Sequence, residues 1–251
     1  MISLPAPRTS RGHRVLGKPG EHFRLSLEVN PADQYTKRYT LNIKGIAHKT
    51  VWVEYPDVYT VYEKHNIEAP SKRPDGLPYY TVPVIYDPKT GKAIADSLLI
   101  AEYLDETYPE THRIVPEGTH ALQTAFLDAF ENTLSNDFYD LICDGTAALF
   151  NERSKAWFND KGWRRGLESE EAGIRSTQKN LGKVDKWYKP GEKFLSSSQK
   201  LIFADLEIAG FLGWARRIWG EDSAQWQEVL KWHEGRWKTL FEELRPFEQV
   251  W

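Results

Sequence analysis

The sequence predicts a mixed α/β unit followed by an all-α unit. In the first part, short stretches of alternating apolar and polar residues are separated by helical stretches, and Pro83 interrupts one apolar run. Beyond Pro109 the apolar residues recur at the three- and four-residue spacing of helices, and the strand signals fade. We therefore expect an N-terminal extension over residues 1–22, an α/β domain over 23–110 and an all-helical domain over 118–251.

The α/β domain opens with a predicted strand, helix, strand unit. Residues 23–29 alternate apolar and polar side chains and predict the first strand, with residues 13–16 as an alternative. Residues 35–44 have the pattern of a helix that ends at Gly45, because glycine suits the left-handed conformation after a last turn. Residues 49–55 alternate again and predict a second strand. A short helix over 59–66 and a proline-rich loop over 69–78, which either folds over a site or is a surface insertion, are expected next.

The stretch from Tyr80 to Leu104 organises this domain. Pro83 excludes an ordinary central strand, because proline removes a ladder donor and keeps the residue before it extended, so we expect a cis turn that leads into a strand. Residues 87–91 have turn chemistry that reverses the chain into another short strand. Asp96 and Ser97 then form an N-cap for a helix.

The rest of the chain predicts helices. The first begins near residue 118, and four more amphipathic stretches follow, around residues 136–158, 166–188, 203–219 and 223–245. Asp205 stands at the third position of the 203–219 stretch, where it can accept free backbone amides although Ile202 offers no hydroxyl cap. The aromatic residues Trp157, Phe158 and Trp163 are candidates to line a pocket that faces the α/β domain, with core packing as the alternative.

Composition excludes several functions. A net charge of −3 gives no electrostatic reason to expect nucleic acid or an anionic membrane as partner. One cysteine, Cys143, cannot form an internal disulfide or a thiolate metal site, and its apolar neighbours indicate a buried structural thiol. The histidines are dispersed, so we expect no metal site. The sequence has no Gly-rich phosphate loop and no Cys-x-x-Cys pair, so we expect neither nucleotide binding nor dithiol chemistry. We expect a cytoplasmic protein without a membrane span.

The order of proline turn, hairpin and capped helix resembles the thioredoxin-like domain of glutathione transferases. A thioredoxin-like unit followed by an all-helical domain covers nearly the whole chain, as in that family. Four stretches are similar to fungal glutathione transferases of the etherase-related, fungal-specific A class, namely residues 38–45, 72–88, 219–223 and 235–237. The resemblance implies a glutathione transferase that conjugates or thiolyses small hydrophobic or aromatic electrophiles, with glutathione as co-substrate and a homodimer as the assembly. The alternative is a ligandin-type protein that binds glutathione and wood-derived or polyphenolic aromatic compounds with little or no turnover.

The resemblance also implies which residues hold glutathione. Val82, the residue before the cis Pro83, would exchange backbone hydrogen bonds with the cysteinyl part, and Asp96 with Ser97 would receive the γ-glutamyl end. Chemistry agrees, since a helix N-terminus offers free amides to a carboxylate and a nearby acid suits an ammonium group. A plain hairpin followed by a capped helix would have the same local sequence, so the motif alone leaves both interpretations open.

The group that activates the thiol is less clear from the sequence. In the etherase-related branch a Ser-Pro pair after the first strand supplies the hydroxyl donor to sulfur, and Asn30-Pro31 stands in the corresponding place. A donor aimed at sulfur stabilises thiolate over thiol, so the Asn30 amide is one catalytic candidate. The Tyr35 hydroxyl on the next helix is the other. Each has an ordinary alternative, Asn30 as a turn former and Tyr35 as a side chain that covers the site.

Overall fold

A computed structural model describes residues 24–28, 35–73, 75–160, 166–196 and 200–250. The predicted extension over 1–22, the alternative strand at 13–16, Asn30 and Trp163 lie outside these ranges.

One four-stranded sheet forms the base of the α/β part. Its strands are β1 (Arg24–Glu28), β2 (His48–Trp52), β5 (Val84–Asp87) and β6 (Lys92–Ala95), in the order β2-β1-β5-β6. Strand β1 pairs with β2 in parallel and with β5 antiparallel, and β5 forms the expected hairpin with β6. The Val82–Pro83 bond is cis, which confirms the predicted turn.

Three helices accompany this sheet. Helix α1 (Tyr35–Ile43) ends at Gly45 with a φ of 63°, as the sequence predicted. A short 3-10 turn (Tyr55–Asp57) leads into α2 (Val58–His65), and α3 (Ser97–Thr107) follows the hairpin.

The proline-rich stretch after α2 differs from the expected loop. It contains two short antiparallel strands, β3 (Ser71–Lys72) and β4 (Pro78–Tyr79). The turn between them is closed by a hydrogen bond of 2.8 Å from the Arg73 amide to the Leu77 carbonyl, and Gly76 has a φ of 82°. Glycine adopts this positive φ without strain, so the chain can reverse tightly here. The turn residues of the sequence do not distinguish such a reversal from an open loop.

The second half is built from helices α4 to α9. They are α4 (His120–Ala148), α5 (Glu152–Asp160), α6 (Glu170–Asp185), α7 (Phe203–Trp219), α8 (Ala224–Val229) and α9 (Trp232–Leu244). The expected boundary near 136 is wrong, because α4 continues to Ala148 and the break comes before α5. The stretch predicted over 223–245 divides into α8 and α9, where His233, Glu234 and Gly235 have positive φ angles.

Helix α7 packs directly against α1. A Cβ atom on Gly210 would lie 2.7 Å from Thr36 Oγ1, and one on Gly213 would lie 3.1 Å from the Tyr35 ring. A side chain at Gly210 would therefore force the two helices to shift, and one at Gly213 would be a tight fit. The Thr36 hydroxyl crosses the contact to the Leu206 carbonyl at 3.3 Å. This junction fixes the helical part against the α/β part.

Asp205 caps the start of α7, as predicted. Its carboxylate accepts the Ile202 amide at 3.1 Å and the Leu195 amide at 2.9 Å, and it is fully buried. Burial raises its pKa to about 6, against the lowering effect of these amide hydrogen bonds. Cys143 is also buried, in agreement with a structural thiol.

The C-terminal segment after α9 lies on α1. The Asn42 side-chain amide donates to the Phe247 carbonyl at 2.7 Å and to the Gln249 carbonyl at 2.8 Å. Glu248 accepts from the Tyr39 hydroxyl at 3.1 Å and pairs with Arg216 of α7 at 2.6 Å. The end of the chain thus supports the helix at the start of the α/β part.

Candidate functional site

A cleft of about 390 Å³ lies where the α/β part meets the helical part. This volume is within the range of ligand pockets. The α/β part supplies one wall, and helices α4, α5 and α7 supply the other. The lining residues used below are Tyr35, Thr36, Tyr55, Val82, Pro83, Ser97, Glu131, Tyr139, Trp157, Glu207, Phe211 and Trp214.

The turn at Val82 and Pro83 forms the edge of the α/β wall. Strand β5 begins only at Val84, and within the described residues no hydrogen bond engages the Val82 amide or carbonyl. The residue before it, Thr81, is held by the Tyr62 hydroxyl, which donates to the Thr81 carbonyl at 2.7 Å. A sheet edge with unused main-chain polar groups can pair with an extended peptide as another strand would.

The start of α3 lies beside this edge. Asp96 is its N-cap, and Asp96 Oδ1 accepts the Leu98 and Leu99 amides at 2.9 and 3.0 Å. Ser97 lines the cleft and is half-buried, whereas Asp96 is not among the described lining residues. The structure therefore brings Val82, Pro83 and Ser97 together at the cleft, with Asp96 directly behind Ser97.

Tyr35 and Thr36 form the floor at the start of α1. Tyr35 is 9% exposed, and the guanidinium groups of Arg38 and Arg216 lie 5.6 and 5.9 Å from its ring centroid. Thr36 is nearly as buried and was not singled out by the sequence. The structure thus places Tyr35 at the cleft, as both interpretations of this residue require.

Aromatic side chains cover the helical wall. Trp157 of α5 stacks on Tyr55 with ring centroids 4.8 Å apart and planes at 5°, so the pair bridges the two parts of the molecule. Tyr139 and Trp214 meet edge to face at 5.8 Å. Of the predicted aromatic set, Trp157 lines the cleft, whereas Phe158 is buried in a cluster with Cys143. This surface suits a flat apolar ligand.

Two carboxyl groups interrupt the aromatic wall. The pKa of Glu207 is raised to about 8, mainly by burial and also by the charges of Asp96 and Glu131, against the lowering effect of a hydrogen bond from Thr36. Burial and the charge of Asp128 raise the pKa of Glu131. Within the described part of the chain, Glu207 Oε1 is buried without a hydrogen-bond partner. One available signal for Glu207 was its charge inside the otherwise apolar run 206–209.

No cluster of His, Cys, Asp and Glu side chains in the described ranges could hold a metal ion. None of the helices in those ranges combines the length and apolar character needed to cross a bilayer.

The cis-proline sheet edge, the capped helix beside it and the facing helical wall define a two-domain protein with a thioredoxin-like unit and a ligand cleft between its domains. Residues 37–107 match the family model of the glutathione S-transferase N-terminal domain, and residues 121–247 match that of the C-terminal domain. The chain belongs to the glutathione S-transferase family.

Two solved structures of fungal proteins and one fungal protein compared by sequence agree with this assignment. A glutathione S-transferase of Ceriporiopsis subvermispora, crystallised with glutathione, is 34% identical, with a TM-score of 0.83 and coverage of 91% of this chain and 98% of that one. Glutathione transferase GSTFuA3 of Phanerochaete chrysosporium is 31% identical with the same coverage and TM-score. A glutathione S-transferase-like protein of Aspergillus flavus is 26% identical over 81% of this chain and 79% of its own length.

These comparisons confirm the family, the fold class and the predicted resemblance to fungal members. The domain boundaries, the homodimer, the cytoplasmic location and the roles of individual site residues stay predictions.

Proposed function

We propose that this protein is a glutathione transferase that joins glutathione to small hydrophobic or aromatic electrophiles. The observation that carries the proposal is the cleft itself, where an unused peptide edge at Val82 and a helix start at Ser97 face an aromatic wall. The main-chain edge and helix start suit the peptide thiol, and the aromatic wall suits a flat apolar electrophile. Binding of glutathione by the Ceriporiopsis subvermispora relative supports this proposal.

In the proposed complex the main chain beside Pro83 pairs with the cysteinyl residue of glutathione. The γ-glutamyl carboxylate lies at the start of α3, where Ser97 offers its hydroxyl and its backbone amide, because Asp96 already accepts the Leu98 and Leu99 amides. Asp96 keeps this helix start in place through its two amide hydrogen bonds. The sulfur atom then faces the cleft between Tyr35 and the aromatic wall.

The reaction is a nucleophilic displacement or addition by the glutathione thiolate. With a chloronitrobenzene, the sulfur–carbon bond forms, the carbon–chlorine bond breaks, chloride leaves, and the thiol proton passes to solvent. The protein contributes by holding the two reactants together and by donating a hydrogen bond to sulfur, which lowers the thiol pKa. The Asn30 amide and the Tyr35 hydroxyl are the two proposed donors.

Conjugation assays with several electrophiles test the enzyme proposal. Chloronitrobenzene, an isothiocyanate and an aryl ether are each incubated with glutathione, and the rate is compared with the uncatalysed reaction. We expect acceleration with at least one of them, and its collapse in either Asn30→Ala or Tyr35→Phe identifies the activating donor. Rates equal to the uncatalysed reaction for all substrates, beside tight aromatic binding, would reject the enzyme in favour of the second candidate.

The second candidate is a ligandin that binds aromatic compounds with little turnover. The stacked pair Trp157 and Tyr55 favours it, because a ready aromatic surface binds flat ligands without any chemistry. Displacement of a fluorescent dye by polyphenolic compounds measures this binding. We expect Trp157→Ala to weaken it about 3- to 10-fold, in line with the loss of one aromatic contact. The matched control is Trp187→Ala, which removes a tryptophan that is not among the cleft-lining residues.

A further inference from the structure

Negative charge gathers around the start of α3 at one side of the cleft. Glu131 of α4 and Glu207 of α7 line the cleft, and Asp96 acts on Glu207 through its charge. No Lys, Arg or His occurs among the described residues that line the cleft. Like charges in a partly desolvated site repel one another, so an occupant that brings a positive charge is favoured here.

Asp96 is already engaged with the protein. Its Oδ1 accepts two backbone amides of α3 at 2.9 and 3.0 Å. A carboxylate that caps a helix has its charge partly balanced by the helix N-terminus. Glu207 makes no comparable cap, and together with Glu131 it borders the cleft.

Glu207 lacks the donors that a buried carboxylate needs. Its Oε1 is closed to solvent and has no partner among the described residues. The Thr36 hydroxyl is within reach of this carboxyl group but also lies 3.3 Å from the Leu206 carbonyl, and one hydroxyl hydrogen can serve only one acceptor. An ionised Glu207 is therefore costly until a donor enters from the cleft.

We propose that Glu207 receives the α-ammonium group of the γ-glutamyl residue of glutathione. The inference rests on the proposed function. It adds a partner for the ammonium group, because the helix start provides donors for the carboxylate only. An amino-acid head group has a carboxylate and an ammonium on one carbon atom. In this cleft the helix start at Ser97 and the Glu207 carboxyl group, whose Oε1 has no partner among the described residues, line the same pocket, so one head group can bind both.

Binding then changes the protonation of Glu207. Burial raises the pKa of Glu207 to about 8, so the empty cleft holds the neutral acid near pH 7. An ammonium group pairs with the carboxylate, and the carboxyl proton passes to the buffer while the ammonium keeps its own. The groups around Glu207 are Thr36 from α1, Asp96 ahead of α3 and Glu131 from α4, none of them a cation.

Calorimetry with two thiol-free peptides tests this inference. The probes are S-methylglutathione and its analogue in which a glutaryl group replaces γ-glutamyl, so that only the ammonium is missing. We expect the wild-type protein to prefer S-methylglutathione about 10- to 100-fold and to release about one proton per peptide bound near pH 7. Titrations in buffers of different ionisation enthalpy count that proton, and the methylated sulfur prevents the thiol from contributing to it.

The Glu207→Gln variant should bind both peptides equally and release no proton, whereas Glu207→Asp should restore part of the preference. Glu117→Gln, at an exposed position outside the cleft, is the matched control and should retain the preference. Unchanged discrimination between the two peptides in Glu207→Gln overturns the inference but not the proposed function. Loss of the preference in Asp96→Asn alone would likewise overturn it and assign the ammonium group to Asp96. A wild-type protein that binds neither peptide overturns the proposed function and this inference with it.

Discussion

The two walls of the cleft are built on different principles. The α/β wall presents main-chain groups around Val82 and the start of α3, where Asp96 serves the backbone by capping, beside tyrosine side chains such as Tyr35 and Tyr55. The helical wall presents side chains, with aromatic rings around the two carboxyl groups of Glu131 and Glu207. A main-chain surface tolerates changes of side chain and suits an unchanging partner. A side-chain surface can be altered one residue at a time, so we expect ligand preference to be determined there.

The largest effect should come from breaking the helix start on the α/β wall. The double change Asp96→Ala with Ser97→Ala removes the cap and the cleft hydroxyl together, and we expect retention on glutathione resin to be lost completely. Asp96→Asn, which keeps an oxygen acceptor for the Leu98 and Leu99 amides, is the control and should still be retained. Retention of the double variant would refute the assignment of this helix start as the γ-glutamyl site.

The next effect concerns the buried acid of the helical wall. The folded-state pKa of Glu207 is about 8, above its ordinary value of 4.5, so its contribution to stability is complete below about pH 4.5 and is lost as the pH rises through 8. Glu207→Gln removes this titration. We therefore expect the variant to gain unfolding free energy relative to wild type as the pH rises above about 5, and the gain should reach on the order of 5 kcal/mol above pH 8.

Urea unfolding of the ligand-free proteins at several pH values measures this gain. Asp205 also has a raised pKa, but it is present in both proteins and its contribution cancels. Glu117→Gln, at an exposed position, is the control and should follow the wild type. Parallel stability curves for Glu207→Gln and wild type would show that Glu207 is not a titrating buried acid.

A smaller effect is expected at the junction that holds the walls together. Gly210→Ala places a Cβ atom 2.7 Å from Thr36 Oγ1, closer than such atoms approach in proteins. We expect a loss of about 1–3 kcal/mol in stability, as for other overpacked sites. Adding Thr36→Ala removes the clashing oxygen, so the double variant should lose less than the sum of the single changes. Strict additivity in this cycle would exclude the contact as the cause.

The smallest effect should follow the change Val82→Ala. If the Val82 main chain binds the cysteinyl residue, the identity of its side chain matters little, and the affinity for glutathione should change by less than about 2-fold. Calorimetric titration measures it, and a loss above about 10-fold would show that the side chain itself contacts the peptide. The two walls would then not differ as described.

Local chemistry explains why the α/β wall could be predicted. Pro83 restricts its own turn, and Asp96 meets the amides that it caps within three residues, so short-range rules were sufficient for both. The helical wall depends on distant pairs such as Trp157 with Tyr55, which lie about a hundred positions apart. Periodicity assigns such residues to helices without giving their partners. The same limit applies to Glu207, whose role depends on Thr36 and Asp96 from the other domain.

The attachment of the chain end to α1 has a practical consequence. Residues 247–249 accept hydrogen bonds from Tyr39 and Asn42, in the helix that also carries Tyr35 and Thr36. A truncation at the end of α9 would remove the support of that helix. A protein shortened in this way should bind ligands differently although every cleft residue is intact.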